Sequence, residues 1–224
     1  ISKSAKLIIK YKGNGAFNGL TVREDLSNLI DSLNAEGATP LEGALYESGL
    51  YFLGLPVDFG RSRHNDGSSY IASKRISDES TFTGGTHVYP SGCTTDNLSS
   101  SKCAEEKITG SPVYKSPITA SSCEVNSIIM ITDGYPSYTA SNYSRNVRND
   151  ENIPLSTLIN AKTNKTCNDP WSCAGNFAQY LYDTDFNTVT GGKQNIFTHM
   201  IGFSELDSSG KLKDLARKGG GMFI

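Results

Sequence analysis

The chain has 224 residues and a formal net charge of −2, from 21 Lys and Arg against 23 Asp and Glu. That length fits one large domain, and a near-neutral chain without runs of like charge disfavours nucleic acid or an anionic membrane surface as a partner. The longest apolar stretches, such as residues 128–131, are far shorter than the roughly 20 residues that a membrane-spanning helix needs, so no membrane insertion is expected. Its 22 Gly, 8 Pro and 37% hydrophobic residues also exclude collagen and coiled coil.

The first third of the chain predicts one strand and two helices. Residues 5–11 are typical of a strand and are followed by a glycine-containing connection at residues 12–20. Apolar residues at 22, 26, 29, 30 and 33 have the spacing of one helix face. A second helix is predicted from Leu41 to Phe52, ending before Gly54 and Pro56.

Residues 57–124 interrupt the regular pattern. Gly, Ser and Thr accumulate there and no helical or strand period is sustained. A connection this long inside a compact domain indicates an insertion, for which we expect short strands of its own, one of them near residues 86–89. Few large apolar residues occur in it, so we expect it to pack against the rest of the domain instead of folding alone.

The second half alternates strands and helices. The continuous apolar run at 127–132 predicts a strand buried on both faces. A helix around residues 177–181, a strand at 195–203, a helix around residues 212–215 and a strand at 222–224 follow, with the glycines at 219–221 ending the last helix. This alternation predicts an α/β fold, in which a doubly wound, mostly parallel sheet carries helices on both faces.

The five cysteines predict disulfides. Two pairs are close in sequence, Cys93 with Cys103 and Cys167 with Cys173, and each could close a short loop. Cys123 is left over, and we expect it to be free or joined to a residue outside this segment. No zinc-finger spacing is present, which favours an oxidising compartment. Inert buried thiols, or a bond from Cys123 to Cys93 or Cys103, are the alternatives.

Two residues could form a cation site. Asp133 directly follows the most apolar strand, and ligands of parallel sheets bind outside the carboxyl ends of the strands. Thr39 precedes the second helix and could offer a hydroxyl oxygen to a divalent cation. Each has a purely structural alternative: Asp133 with Gly134 is also a turn signal, and Thr39 with Glu42 also fits a helix capping box. The three histidines are scattered without a recognisable catalytic arrangement, so we expect no enzyme activity.

These residues resemble a von Willebrand factor type A domain, and more specifically the N-terminal region of the PilY1/PilC family of tip-associated adhesins of bacterial type IV pili. Thr39 stands in Gly-Ala-Thr-Pro-Leu and Asp133 in Ile-Thr-Asp-Gly, where the family has its metal-binding Thr and second Asp. The similar segments are 38–52 (ATPLEGALYESGLYF), 123–134 (CEVNSIIMITDG), 177–185 (FAQYLYDTD), 195–203 (NIFTHMIGF) and 215–221 (LARKGGG).

The resemblance implies one von Willebrand factor A-like domain over residues 1–224, with residues 57–124 inserted in it. It also implies a Mg²⁺ or Ca²⁺ site at the carboxyl edge of the sheet, to which a ligand's carboxylate would bind. The expected location is extracellular, on the pilus tip or bacterial surface after export through the periplasm. The expected partners are a host-cell or surface receptor, the minor pilins of the tip and the rest of the protein's own chain.

One departure from the family concerns the Asp-x-Ser-x-Ser loop that follows its first strand. Residues 25–29 (Asp-Leu-Ser-Asn-Leu) lack the second Ser and lie in a helical pattern. Either the first strand and its loop precede Ile1, so that the domain is N-terminally incomplete here, or this member has lost metal binding. In the second case the chain would be a metal-free structural domain for pilus tip assembly or resistance to force.

Overall fold

The computed structural model describes residues 41–62, 76–94, 101–118, 125–132, 144–147, 151–187, 192–202 and 210–224. The strand predicted at 5–11 and the helix predicted at 22–33 lie outside these residues. The elements in chain order are α1 (Leu41–Leu53), β1 (Phe82–Val88), β2 (Lys107–Tyr114), β3 (Asn126–Thr132), β4 (Ser144–Val147), β5 (Glu151–Pro154), α2 (Leu155–Thr163), α3 (Pro170–Asp183), β6 (Ile196–Gly202), α4 (Lys211–Lys218) and β7 (Gly220–Phe223). Short 3-10 helices cover Phe59–Arg61, Glu79–Thr81 and Ser101–Cys103.

A three-stranded parallel sheet in the order β3-β6-β7 confirms the α/β class. The register of β3 and β6 places Asn126 opposite Ile196 at one end and Thr132 opposite Gly202 at the other. The carboxyl ends of these two strands therefore meet at the same edge of the sheet.

The four helices that the structure describes contribute to one apolar core on one face of this sheet. Ile128, Ile196 and Met200 point from the strands into the core, where they meet Leu45 of α1 and Phe177 of α3. The two helices approach closely because Gly49 has no side chain: a Cβ at that position would lie 2.6 Å from the ring of Phe177. The remaining buried apolar residues of the described helices are Leu41, Tyr46, Leu50, Leu155, Ile159, Cys173, Ala174, Ala178, Leu181, Leu212, Leu215 and Ala216.

The prediction that β3 is buried on both faces is wrong for the described part of the chain. Its side chains alternate: Ile128 is buried, whereas Ile129 and Ile131 are 63% and 62% exposed. The described helices all share the core on the Ile128 face, so they supply no second layer for the opposite face. Helices on both faces thus remain a prediction, whereas the parallel sheet and the single-sided core are observed.

The segment predicted as an insertion contains its own antiparallel pair, β1 with β2, separate from the parallel sheet. Strand β1 includes residues 86–88, where a strand is predicted, and Cys93 forms a disulfide with Cys103 between the two strands. Phe82, Ile108 and Tyr114 of this hairpin belong to the same core as α1. The hairpin therefore packs against the helical layer, as its composition indicates.

Glu47 of α1 joins the helix to this segment. Its carboxylate accepts hydrogen bonds from the backbone N–H groups of Asp58, Phe59 and Gly60 at 3.0, 2.9 and 3.1 Å. It also accepts one from the Tyr114 hydroxyl at 2.5 Å. Burial, followed by the charge of Glu47, raises the pKa of Tyr114 above its usual value, so the phenol stays protonated as a donor.

Three consecutive glycines lie at the change from α4 to β7: Gly219 caps the helix, and Gly220 and Gly221 begin the strand. The helix ends at Lys218, as predicted, but each glycine is also required by close contact. A Cβ on Gly219 would lie 2.6 Å from the side chain of Thr198, and one on Gly221 would collide with the Thr198 carbonyl. Gly220 has a φ of +65°, a left-handed conformation that favours glycine. The run therefore lets β7 approach β6 directly after the helix.

Candidate functional site

The carboxyl edge of the parallel sheet is where the cation site is predicted. Strand β3 ends at Thr132, opposite Gly202 at the end of β6, and Asp133 is the next residue along the chain. Thr39 stands two residues before α1 begins at Leu41. Thr39 and Asp133 both lie outside the described residues, so their separation stays a prediction. The structure describes the residues around them.

The first turns of α1, α3 and α4 are neighbours. Glu42 in the first turn of α1 is close enough to Asp169, which caps α3, for that charge to contribute to its raised pKa. Lys211 is the first residue of α4, and the charge of its ammonium group contributes to lowering the pKa of Asp169. The same ammonium lies 5.6 Å from the ring centre of Trp171. Because α4 follows the carboxyl end of β6, this group of helix starts belongs to the expected side of the sheet.

Glu42 is the most unusual charged group in this region. The residue is 2% exposed, and neither of its carboxylate oxygens accepts a hydrogen bond from the described residues. Burial, and secondarily the charge of Asp169, raises the pKa of Glu42 to about 7. An isolated buried carboxylate is costly unless it is protonated or compensated by a cation. The position is therefore chemically suited to a nearby positive ion.

The burial of Glu42 could be predicted from the spacing of apolar residues in α1. The interpretation of Glu42 as part of a capping box does not predict it. Glu42 stands three, four and seven residues before Leu45, Tyr46 and Gly49, which are buried positions of α1. That spacing is the stripe that faces the core. The alternative role of Glu42, capping together with Thr39, involves a residue outside the described part of the chain.

Asp169 has a local structural role at the start of α3. Its carboxylate accepts hydrogen bonds from the N–H groups of Trp171 and Ser172 at 3.0 and 3.1 Å, and the Ser172 hydroxyl completes the capping box. Partial burial acts to raise the pKa of Asp169, but the hydrogen bonds from Ser172 and Trp171 outweigh it, so the pKa is lowered. A disulfide between Cys167 and Cys173 encloses this cap. Asp169 is thus held as an ionised helix cap beside Glu42.

The two disulfides confirm the predicted pairings of Cys93 with Cys103 and Cys167 with Cys173. Their Cα atoms are 4.8 and 5.0 Å apart, within the usual range for a disulfide. Cys123 lies outside the described residues, so its unpaired state remains a prediction.

The two described histidines have structural partners. His87 Nε2 lies 2.8 Å from the carboxylate of the fully buried Glu106, and its Nδ1 lies 3.1 Å from Glu79. His199 accepts a hydrogen bond on Nδ1 from the N–H of Met222 at 3.1 Å. His64 lies outside the described residues. These contacts explain both side chains without a reaction, and the expected lack of enzyme activity stays a prediction.

No protein-family model, characterised protein or solved structure matches the chain. Within the described ranges, no helix is long and apolar enough to cross a membrane. Over the same ranges, no group of three or more His, Cys, Asp or Glu side chains could hold a metal ion. The resemblance to the von Willebrand factor type A domain therefore rests on this chain's own residues.

Proposed function

We propose that this chain is a binding module without catalytic activity, the von Willebrand factor A-like domain of a type IV pilus-associated adhesin. The observation that supports it best is that the carboxyl ends of β3 and β6 meet at one edge of a parallel sheet. Asp133 is the residue that follows Thr132, the last residue of β3, in the sequence. In open α/β sheets this edge is where ligands bind.

The proposed chemistry is coordination of Mg²⁺ or Ca²⁺. Both ions prefer oxygen ligands, and Mg²⁺ takes six in octahedral geometry. The Thr39 hydroxyl and the Asp133 carboxylate supply two of them, and the buried carboxylate of Glu42 adds negative charge from the first turn of α1. A cation left with one open position attracts a carboxylate of the bound ligand strongly in a partly desolvated site.

The partners that fit this chemistry are proteins with an accessible acidic side chain. We include a host-cell or surface receptor, the minor pilins at the tip and the remainder of the adhesin. The two disulfides support folding in an oxidising compartment, which agrees with an extracellular position at the pilus tip or on the bacterial surface.

The test is calorimetric titration of the metal-free chain with Mg²⁺ and Ca²⁺. Asp133→Ala and Thr39→Ala should each weaken binding by about tenfold or more, since each removes an oxygen ligand. Matched controls are Asp183→Ala, at the exposed end of α3, and Thr109→Ala, in the hairpin. Unchanged affinity in Asp133→Ala, or equal losses in the controls, would contradict the proposal.

A metal-free structural domain for tip assembly or force resistance is the second candidate. The observations that favour it are the two disulfides and the attachment of α1 to the hairpin through Glu47. It predicts no cation binding in the titration above. It also predicts a lower unfolding force for Glu47→Gln in single-molecule pulling, which the adhesion proposal does not require.

A further inference from the structure

His87 stands between two carboxylates that belong to different parts of the chain. It is in register with the buried Ile108, and only 6% of its own side chain is exposed. Its Nε2 lies 2.8 Å from the fully buried carboxylate of Glu106, directly before β2. Its Nδ1 lies 3.1 Å from the carboxylate of Glu79, in the 3-10 helix before β1. Each ring nitrogen therefore has an acidic oxygen beside it.

Only the protonated ring suits both carboxylates. A neutral imidazole has one N–H, so in either tautomer its other nitrogen presents a lone pair to a carboxylate. The imidazolium has an N–H on both nitrogens, and its positive charge compensates a carboxylate that is removed from water. The ring of Tyr89 stacks on that of His87 with the ring centres 3.9 Å apart, a contact that also favours a cation.

The other charged groups close to His87 in the chain or the strand pair have different positions. Lys107 is in register with Val88, so it lies on the opposite face of the hairpin from His87. Asp78 caps the 3-10 helix, where its carboxylate accepts hydrogen bonds from the N–H and the hydroxyl of Ser80. In the part of the chain that the structure describes, the charges in contact with the ring are thus those of Glu79 and Glu106.

We propose that His87 is an acid-dependent clamp, which fastens the 3-10 helix Glu79–Thr81 to the hairpin when its ring is protonated. In acid the imidazolium holds both carboxylates. When the ring loses its proton, the N–H that remains stays with Glu106, because that carboxylate is fully buried and cannot turn to water. The side chain of Glu79 is 64% exposed, so it leaves the nitrogen lone pair for solvent.

Loss of the Glu79 contact leaves the 3-10 helix attached to the end of β2 through Lys115. The Lys115 N–H donates to the Thr81 carbonyl at 2.8 Å, and its ammonium donates to the Ser80 carbonyl at 3.1 Å. Neither of these bonds depends on the protonation of His87. The clamp therefore adds to a permanent attachment, and the hairpin is held more tightly at low pH than at high pH.

A double-mutant cycle of Glu79→Gln and His87→Asn on the full chain tests the clamp. Urea unfolding in metal-free buffer is measured at about pH 5.5, where ordinary histidines are protonated and glutamates are ionised, and at about pH 9, where histidines are neutral. At the lower pH the coupling between the two residues should stabilise the fold by about fivefold in the unfolding equilibrium constant. At the higher pH it should fall below about twofold. Contributions of other titrating groups cancel in the cycle.

Two outcomes would overturn the proposal: coupling that is as strong at the higher pH as at the lower one, or no coupling at the lower pH. If His87→Asn does not fold, the Glu79→Gln variant decides alone. It should raise the unfolding equilibrium constant by about fivefold at the lower pH and by less than about twofold at the higher pH. Asp183→Asn, which removes an exposed carboxylate outside the hairpin, is the matched control. A pH dependence of Glu79→Gln no larger than that of the control would refute the clamp.

Discussion

Replacing the buried carboxylate of Glu42 by an amide should make the protein's stability less dependent on pH. Burial and Asp169 raise the pKa of Glu42 to about 7 in the folded protein, against an ordinary value of 4.5. The folded state therefore holds this proton more tightly than the unfolded state does. Below about pH 4.5 Glu42 is protonated in both states, so its ionisation does not lower the free energy of unfolding. Between about pH 4.5 and pH 7 the free energy of unfolding falls, and above about pH 7 the loss no longer grows.

The size of the effect follows from that difference. A shift from 4.5 to about 7 corresponds to about 3 kcal/mol of folding free energy lost at high pH, at 1.36 kcal/mol per pH unit. Glu42→Gln removes this loss because an amide does not ionise. The amide itself is buried without a partner, which adds a constant cost at every pH. The informative quantity is therefore the change with pH of the stability difference between variant and wild type.

Urea unfolding between about pH 5 and pH 8 measures it. In metal-free buffer the variant should gain about 2 kcal/mol relative to wild type across this range, since part of the cost is already present at pH 5. Asp183→Asn, which removes an exposed carboxylate at the end of α3, is the matched control. The gain of Glu42→Gln over this pH range should exceed that of the control. A constant difference for Glu42→Gln would refute the reasoning. A bound cation would lower the pKa of Glu42, so added Mg²⁺ should shrink the effect.

Three further predictions concern the framework around the site. Glu47→Gln should lower the free energy of unfolding by about 3 kcal/mol, because an amide cannot accept both the backbone hydrogen bonds and the one from the Tyr114 hydroxyl. A loss below about 1 kcal/mol, measured by urea unfolding, would contradict this expectation. Gly221→Ala should prevent β7 from pairing and lower the melting temperature strongly, whereas Gly175→Ala, inside α3 against the flexible side chain of Lys218, should be neutral or stabilising. Mass spectrometry of the unreduced chain should find two disulfides and one alkylatable thiol at Cys123, and five reactive thiols would exclude this framework.

The elements that could be predicted from the sequence are those with strong local signals. The apolar runs of β3 and β6 and the helix end at Gly54 are such signals, and each element lies within a few residues of its prediction. The two disulfides were predictable because each pair is separated by only 10 or 6 residues. In each case the feature depends on residues that are close together in the sequence.

Features that depend on distant partners were not predictable in this way. A continuous apolar run cannot tell whether one or both faces of β3 are covered, because that depends on where the helices pack. A Cβ on Gly221 would collide with Thr198 only because β7 pairs with β6. From the neighbouring residues alone, the three glycines predict only the end of a helix. Helix α2 was missed although Leu155 and Ile159 have helical spacing, since a nine-residue helix among polar residues gives a short signal.

We propose a divalent cation at the carboxyl edge of the sheet, close to the starts of α1, α3 and α4. Trp171, the single tryptophan of the chain, lies in the first turn of α3 and can transfer excitation energy to a nearby Tb³⁺ ion. With light absorbed by tryptophan alone, we expect Tb³⁺ luminescence that is lost when Ca²⁺ or Mg²⁺ displaces the ion. Asp133→Ala should abolish this luminescence, whereas Asp183→Ala should retain it. Luminescence that persists in Asp133→Ala, or none from the wild-type chain at saturating Tb³⁺, would contradict it.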